Sequence, residues 1–571
     1  MKNRNVFKSA LLFLLCAALV WSLAACIVTP DPSSSDVDPS SEETSSNDTS
    51  DVGSSDETTS VEPSSSEEQT SSEEQTSSEE PASSEEQTSS ETTSSEETAS
   101  SQVAPETAKT ANVMDYGAKG NGKADDTGAI AKAIKAAAGG IVVFPAGTYK
   151  VTSLTFPENV VPSFEKGAYV NNSGVITVNS YDIFSGGTAV FIGNGGFDGF
   201  KNIPTVNVKW FGAYGDGKHD DTYGVQQAVF YGTNVYAPAG TCKITDSVHL
   251  EEPKRNGVQS YDTTLTGESR DKTVFVLADG IKGFYGESGG ANATVVFDSV
   301  TIKGSNKSSY GVYFVKAKRV DVINSRLEGL KWGVYYTYAG DCHFYNNIAE
   351  NNDIVYKIGE RSMFLYYEKL TNKNNGTFIY CDVPESGGVS NGIMISDCVS
   401  ENCSREDIYI TRNQAVEIYD CSFTGGTGGK AAIFITTSCD SRIMNNKITS
   451  KGSSRDGISV TYCTEMYIAE NDATSERYAF SFECPYRSGT YVTKNTFSGK
   501  KADVGFIGQA NDVKVFRNNL NSPNAIARAV NSTRNILFCQ NTVALTYSEA
   551  KDGLSGIGDI VGNNFYSDGN H

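Results

Sequence analysis

Three aspartates of this 571-residue chain fall almost the same distance ahead of a recurring corner residue. Asp407 lies 14 residues before Cys421, Asp456 lies 15 before Asn471, and Asp503 lies 15 before Asn518. Each precedes a short apolar run: Ile408-Tyr-Ile, Ile458-Ser-Val and Val504-Gly-Phe. Lys430, ahead of Ala432-Ile-Phe-Ile, and Glu476, about four residues out of phase, occupy the intervening repeats, with Arg405, Arg455 and Arg477 beside them. Carboxylate pairs cleave glycosidic bonds, by a retaining route when about 5 Å apart and an inverting one at roughly 6.5–9.5 Å. If the repeats stack at roughly 4.8 Å, Asp456 and Glu476 suit the first geometry and acids two repeats apart approach the second. A hydrolase of this kind requires no cofactor. A lyase would instead use the acids to hold calcium and Lys430 or an arginine as base. Tyr409, Phe434, Phe480 and Tyr486 lie close by and offer faces on which sugar rings stack. The competing reading is a solvated, purely structural corner.

Those residues ride on a repeat that runs from about Val322 to Phe565. It reads Val322-Ile-Asn-Ser325, Ile443-Met-Asn-Asn446, Val492-Thr-Lys-Asn495, Val515-Phe-Arg-Asn518 and Ile560-Val-Gly-Asn563. The fourth residue marks the phase at Ser325, Asn347, Glu368, Cys398, Cys421, Asn446, Asn471, Asn495, Asn518, Asn541 and Asn563. The intervals are 21 to 25 residues, with a single one of 30. Such a period, built from β-branched and aromatic runs without a helical stripe, is that of a β-solenoid. One coil cannot bury its own apolar face, so coils stack into a continuous core. Asn suits the corners because it tolerates the left-handed conformation and can bond to the next rung. The fold expected is an all-β parallel β-helix.

Ahead of the coils, two passages repeat each other 95 residues apart. The first runs Val113-Met-Asp-Tyr-Gly-Ala-Lys-Gly120-Asn-Gly122-Lys-Ala-Asp125-Asp126-Thr127, then an Ala-rich helix, then Val142-Val-Phe-Pro145-Ala-Gly147-Thr-Tyr149. The second runs Val208-Lys-Trp210-Phe-Gly-Ala-Tyr-Gly215-Asp-Gly217-Lys-His-Asp220-Asp221-Thr222, a helix, and Val235-Tyr-Ala-Pro238-Ala-Gly240-Thr241. Asp-Asp-Thr is expected to cap each helix. The strands expected after the first copy are Leu154 to Phe156, Val175 to Val178 and Ala189 to Ile192.

Both passages resemble the N-terminal signature of the pectate-lyase superfamily, the rhamnogalacturonase/epimerase-like β-helix family. Its usual form is Asp-Tyr-Gly-Ala-Lys-Gly-Asp-Gly, then Asp-Asp-Thr, an amphipathic helix and Phe-Pro-x-Gly-x-Tyr. The likeness covers roughly Ala111 to the C-terminus. It implies a right-handed parallel β-helix, caps in which the Asp pairs are structural, and chemistry on one exposed sheet. The Asn-Thr-Asp, Gly-His-Gly and Arg-Ile-Lys motifs of polygalacturonase-type hydrolases are absent, as is the Asp-Pro-His-Asp of alginate epimerases. Only His219, His249, His343 and His571 are present, and His343 beside Asp341 reads as a corner residue. The resemblance therefore implies a polysaccharide-active protein, hydrolase ahead of lyase, with a non-catalytic carbohydrate-binding or adhesive module as the alternative.

Met1 to Ala25 carries Lys2, Arg4 and Lys8, an apolar run and Leu23-Ala-Ala-Cys26, the pattern of a secretory leader. The ending resembles a bacterial lipobox, which implies cleavage before Cys26 and a lipid anchor at the cell surface. From residue 26 to 108 the chain is Ser, Thr, Glu and Pro with 22 acids and no base, the composition of a disordered stalk. Setting aside those acids and the leader's three bases leaves 47 acids against 44 bases, so the net charge of −22 belongs to the stalk. The remainder is near neutral, which argues against a nucleic-acid partner. Residues 109–205 are expected to form a small cap-like subdomain and 206–571 the main helix. The ten cysteines from Cys242 to Cys539 show no zinc spacing and read as core residues, with a Cys398–Cys421 bridge conceivable.

Overall fold

The computed structural model describes residues 109–565, apart from 187–188, 252–253, 257–259 and 288–292. The expected leader, the lipidation site Cys26 and the acidic stalk lie outside the described residues. The chain winds as a right-handed parallel β-helix with three strands to a coil. One coil shows the plan: Trp332–Thr337, Gly340–Tyr345 and Ile348–Glu350 follow one another around the axis. Each strand pairs in parallel with its counterpart one coil on, as Val334 with Tyr356, His343 with Tyr366 and Ala349 with Asn372. The first and second faces join in one 26-stranded sheet, and the third face forms a 15-stranded sheet.

Alternation along each strand puts one side chain inside and the next outside. Inward rungs such as Val322, Phe344, Tyr367, Ile395, Ile418 and Ile443 are fully enclosed and in register. They belong to one core that extends from the first cap to Ile557. Eight of the ten described cysteines are buried and all ten are free thiols, so Cys398 and Cys421 are not bridged. Burial raises the thiol pKa of Cys398 well above its ordinary value.

The asparagine corner has its own hydrogen-bond logic. Asn471 donates from Nδ2 to the Ile443 carbonyl at 2.8 Å, and its Oδ1 accepts from the Asn446 backbone N at 3.1 Å. The same pair of bonds recurs at Asn446, Asn495, Asn518 and Asn541. Buried amides and carbonyls at the corner are thereby satisfied without water. Two expectations change here. The left-handed residue is the one before the rung, namely Asn445, Glu470, Lys494, Arg517 and Gln540, while the rung itself turns inward. And Leu370, not Glu368, holds the corner between Asn347 and Cys398; Glu368 lies in the second strand, paired with Tyr345.

The first cap copy is more than a cap. It forms three small faces of its own: Thr110–Asn112 with Gly140–Phe144 and Val160–Phe164; Asn121–Asp125 with Gly147–Val151 and Ala168–Asn172; Leu154–Phe156 with Ile176–Val178 and Phe197–Gly199. Ala189–Ile192 is not a strand; Phe191 makes an isolated bridge to Val170. Phe191, Phe197 and Phe200 pack against Phe211 and Tyr231 of the second copy, so one apolar core runs through both.

The Asp pairs are structural. The Asp126 carboxylate accepts from the Lys119 and Gly120 amides, and that of Asp221 from the Tyr214, Gly215 and Lys243 amides. Neither caps its own helix, Thr127–Ala136 or Thr222–Tyr231, by a side-chain bond, although each is the N-cap residue. That task falls to Asp125 and Asp220, which accept from the amides of Thr127 and Thr222 at 3.0 Å.

Candidate functional site

The outward positions of the first face form a single file. Parallel register aligns His249, Tyr285, Tyr313, Tyr335, Lys357, Tyr380, Tyr409 and Phe434, one per coil. Since coils repeat at roughly 4.8 Å, Tyr285 to Phe434 span about 29 Å. Neighbouring rings touch: Tyr313 and Tyr335 have centroids 4.7 Å apart, Tyr380 and Tyr409 4.8 Å apart and nearly parallel, and Tyr409 and Phe434 5.4 Å apart. Trp332 and Tyr310, at the start of the same strands, widen the strip.

Lysines are laid over these rings. Lys282 Nζ sits 4.3 Å from the centroids of Tyr285 and Tyr313, and Lys357 Nζ 4.1 Å from that of Trp332. Lys430 Nζ is 4.6 Å from the Phe434 ring. Such contacts set ammonium groups over the ring faces. Burial lowers the Lys357 ammonium pKa and pushes the Tyr313 hydroxyl up to about 12, so the tyrosines remain neutral hydrogen-bond donors. Carboxylates flank the strip: Tyr285 bonds to Glu287, and the Tyr380 hydroxyl donates to Asp382 at 3.1 Å. Rings bordered by carboxylates and ammonium groups offer a sugar apolar contact for its C–H groups and partners for its hydroxyl rim.

Beyond Phe434 the same file changes character. It continues as Ser459, Ser481, Gly505 and Arg528. Tyr478 folds over this stretch; a Cβ on Gly505 would lie 2.7 Å from its ring, so only glycine admits it. Beneath it, Ser481 bonds to Ser459 at 2.8 Å and also to the Asp456 carboxyl. Asp456 accepts from the Tyr478 amide at 3.3 Å and faces Arg477 at 3.5 Å. Burial pushes its carboxyl up to about 6.

The stripe of charges expected from spacing is therefore divided by the wall of the helix. Asp407 and Asp503 immediately precede the aligned residues Ile408 and Val504, whereas Asp456 stands two before their partner Ile458. Asp407 is enclosed and paired with the equally enclosed Arg455, and it accepts from Ser400. Asp503 is enclosed and accepts from the Gly499 and Ser522 amides at 2.9 Å, yet burial raises its pKa to about 8. Neither carboxylate is a solvated corner or presented to a substrate. Glu476 is exposed and paired with Lys500 at 2.8 Å, so it and Asp456 answer to different partners instead of facing each other.

Among the expected sugar platforms, Tyr409 is in the file and partly exposed; Phe434 shares its register but is buried, contrary to expectation. Phe480 is not: it points inward and stacks on Phe497 in the core. Tyr486 is exposed on the loop beyond the strand Tyr478–Cys484, off the sheet. Spacing had left Tyr285, Tyr313, Trp332, Tyr335, Lys357 and Tyr380 unnoticed. Their sign was the recurrence of Gly311-Val-Tyr-Phe and Gly333-Val-Tyr-Tyr at matching positions in successive coils. Among the described residues, no group of three or more His, Cys, Asp or Glu side chains is placed to hold a metal.

Comparison with known families agrees with this architecture. The family described as rhamnogalacturonase A/epimerase, pectate lyase-like, matches residues 110–161 and 205–458, and the chain belongs to it. A second match, to the periplasmic copper-binding protein (NosD) family, covers residues 367–568. Solved structures similar in fold include Geobacillus virus E2 ORF18, at 14% identity and a TM-score of 0.28 over 58% of this chain. Bacteriophage CBA120 tailspike protein 3 matches at 11% identity and 0.43 over 64%. The catalytic unit of a GH87 α-1,3-glucanase from Streptomyces thermodiastaticus matches at 15% and 0.35, also over 64%. The chain spans 62%, 62% and 66% of the lengths of those three. A search of curated proteins found no match.

Proposed function

We propose that this protein engages an extended extracellular polysaccharide laid along the aromatic file of the first face. The observation that carries the reading is the file itself: partly exposed rings in register from Tyr285 to Tyr409, about 24 Å, long enough for roughly four or five sugar residues. A core role would have turned those rings inward. Membership of a family described by a rhamnogalacturonase supports a glycan as the ligand. The Leu23-Ala-Ala-Cys26 sequence and the acidic stretch behind it support presentation of the helix from a lipid anchor at the cell surface.

A second reading, glycoside hydrolysis, has one observation in its favour. Asp456, enclosed beneath Tyr478 beside the polar stretch of the file, has a pKa raised to about 6 by burial, the state of a general acid. Retention of the protein on immobilised plant, algal and bacterial polysaccharides tests the first reading, and release of reducing ends tests the second. Retention weakened roughly fivefold in Tyr380→Ala supports the file as the binding face; retention unchanged in that variant and in Tyr409→Ala sinks it. Reducing ends abolished by Asp456→Asn, with retention intact, would establish the hydrolase.

A further inference from the structure

The second face carries a separate feature that the aromatic file does not use. Three consecutive coils, through Arg319–Ile323, Gly340–Tyr345 and Met363–Glu368, enclose an outward groove of about 300 Å³. Its floor is the register line Asp321, His343, Tyr366. Strands of the first and second faces alternate along the chain, so this line points away from a different wall of the helix than the file.

The floor is rigid and already satisfied. Asp321 is nearly enclosed and accepts from Arg319 Nε at 2.8 Å and from the His343 amide at 2.9 Å. Arg319 reaches on to Asp341 at 3.0 Å, and Asp341 in turn holds His343 Nε2 at 3.2 Å. Asp341 thus holds the imidazole at Nε2 while Asp321 fixes the His343 backbone, and the ring stacks on Tyr366 with centroids 4.7 Å apart and planes 21° apart. His343 is not the corner residue expected from sequence; it forms a two-ring platform with Tyr366. Tyr345 closes one side, its hydroxyl accepting from Lys369 at 3.0 Å.

The walls are different. Within the described residues, the Glu368 carboxylate and the Tyr366 hydroxyl take part in no hydrogen bond or ion pair, although both line the groove. A prepaid platform with an uncommitted carboxylate acceptor and a phenol at its edge costs little to organise on binding. It presents an apolar face to a ring and polar groups to that ring's hydroxyls. Arg319 bridges Asp321 and Asp341, so Glu368 is the one carboxylate lining the groove that is outside an ion pair among the described residues.

We infer that this groove is a second saccharide site, taking one pyranose ring stacked on His343 and Tyr366 with its hydroxyls donated to Glu368. The inference rests on the reading that the protein binds glycans, but it concerns a face that reading does not require. Two sites on two walls would let one helix hold two glycan strands, or two turns of one.

The test follows the four histidines of the full chain by NMR of the 15N-labelled imidazoles. Cellohexaose, laminarihexaose and oligogalacturonate are titrated separately to millimolar concentration. Expected is a saturable shift of the His343 signals with at least one of them, weakened roughly tenfold in Glu368→Gln and in Tyr366→Ala. The shift should persist in Tyr380→Ala, whose aromatic file is broken. Unchanged signals of His219 in each variant report that the fold is intact. If polysaccharide is retained through the file while His343 stays silent to all three probes, the second site is overturned and the proposed function stands. If His343 responds but Tyr380→Ala retains polysaccharide as well as the parent, the groove stands and the file does not.

Discussion

The outward file of the first face has two halves built on the same backbone. From Tyr285 to Tyr409 it is aromatic, partly exposed and interleaved with lysines, and Phe434 ends that half as a buried ring; from Ser459 to Gly505 it is small, polar and covered by Tyr478. Strand spacing, register and inner core are the same in both. The difference lies wholly in which residue occupies one position per coil. A parallel β-helix thus separates stability, which the inward rungs supply, from recognition, which the outward rungs can vary freely. Of the acids first singled out by spacing, Asp407, Asp456 and Asp503 are enclosed and held by the chain's own groups, whereas Glu476 is exposed.

The largest effect expected on this contrast comes from that interior. Arg455 is fully enclosed, Gly426 gives it room, and it neutralises Asp407. Arg455→Ala should cost about 3–5 kcal/mol, read as a lower urea midpoint, because a buried carboxylate is left alone. A loss below about 1 kcal/mol would mean that Asp407 is not held as an ion pair.

A smaller effect is expected from pH. Between about pH 4 and 8, Asp503 keeps a proton in the folded chain that the unfolded chain has already released. Stability should therefore fall as pH rises through that window, by at most about 1.4 kcal/mol per pH unit from this group. Asp456 adds to the fall only up to about pH 6. Urea midpoints measured across the window should show a shallower slope in Asp503→Asn. An equal slope would place the carboxylate in its charged form and remove the distinction between interior and surface acids.

The smallest effect separates the halves most cleanly. Tyr380→Ala removes one ring from the aromatic half and should weaken glycan retention by about 1 kcal/mol, roughly fivefold, while moving the urea midpoint little. Phe480→Ala, one residue from the polar half but inward, should do the reverse, costing about 3–5 kcal/mol of stability and leaving retention alone. If both variants lost retention without losing stability, inside and outside would have been assigned wrongly.

Much of the fold was legible from order alone. The period of the low twenties, the β-branched runs and the recurring Asn gave the parallel β-helix, and the twin Asp-Asp-Thr passages gave its N-terminal end. The candidate site was legible only in part. Tyr409 was found because it sits beside the acids, whereas Phe434 and Phe480, equally close in sequence, are buried. The extended runs Ile408-Tyr-Ile and Tyr478-Ala-Phe-Ser-Phe look alike until the register is known.

What the sequence by itself determined is the coil: how many residues close a turn, which apolar side chains fill it, and which amide seals the corner. Those follow from local alternation and from the need of each repeat to bury one face. Tertiary structure alone decided on which side of the wall a residue stands at the start of a strand. Asp407 and Asp503 share one alignment and face inward, while Asp456, shifted by a single residue, lies beneath Tyr478 on the outer face. Alternation along the strand would put Asp407 outside with Tyr409 and Asp456 inside with Ile458, and the entry of the coil into the strand reverses both. Spacings that vary from 21 to 30 residues carry neither that alignment nor its local exceptions; hydrogen-bonded register and packing do.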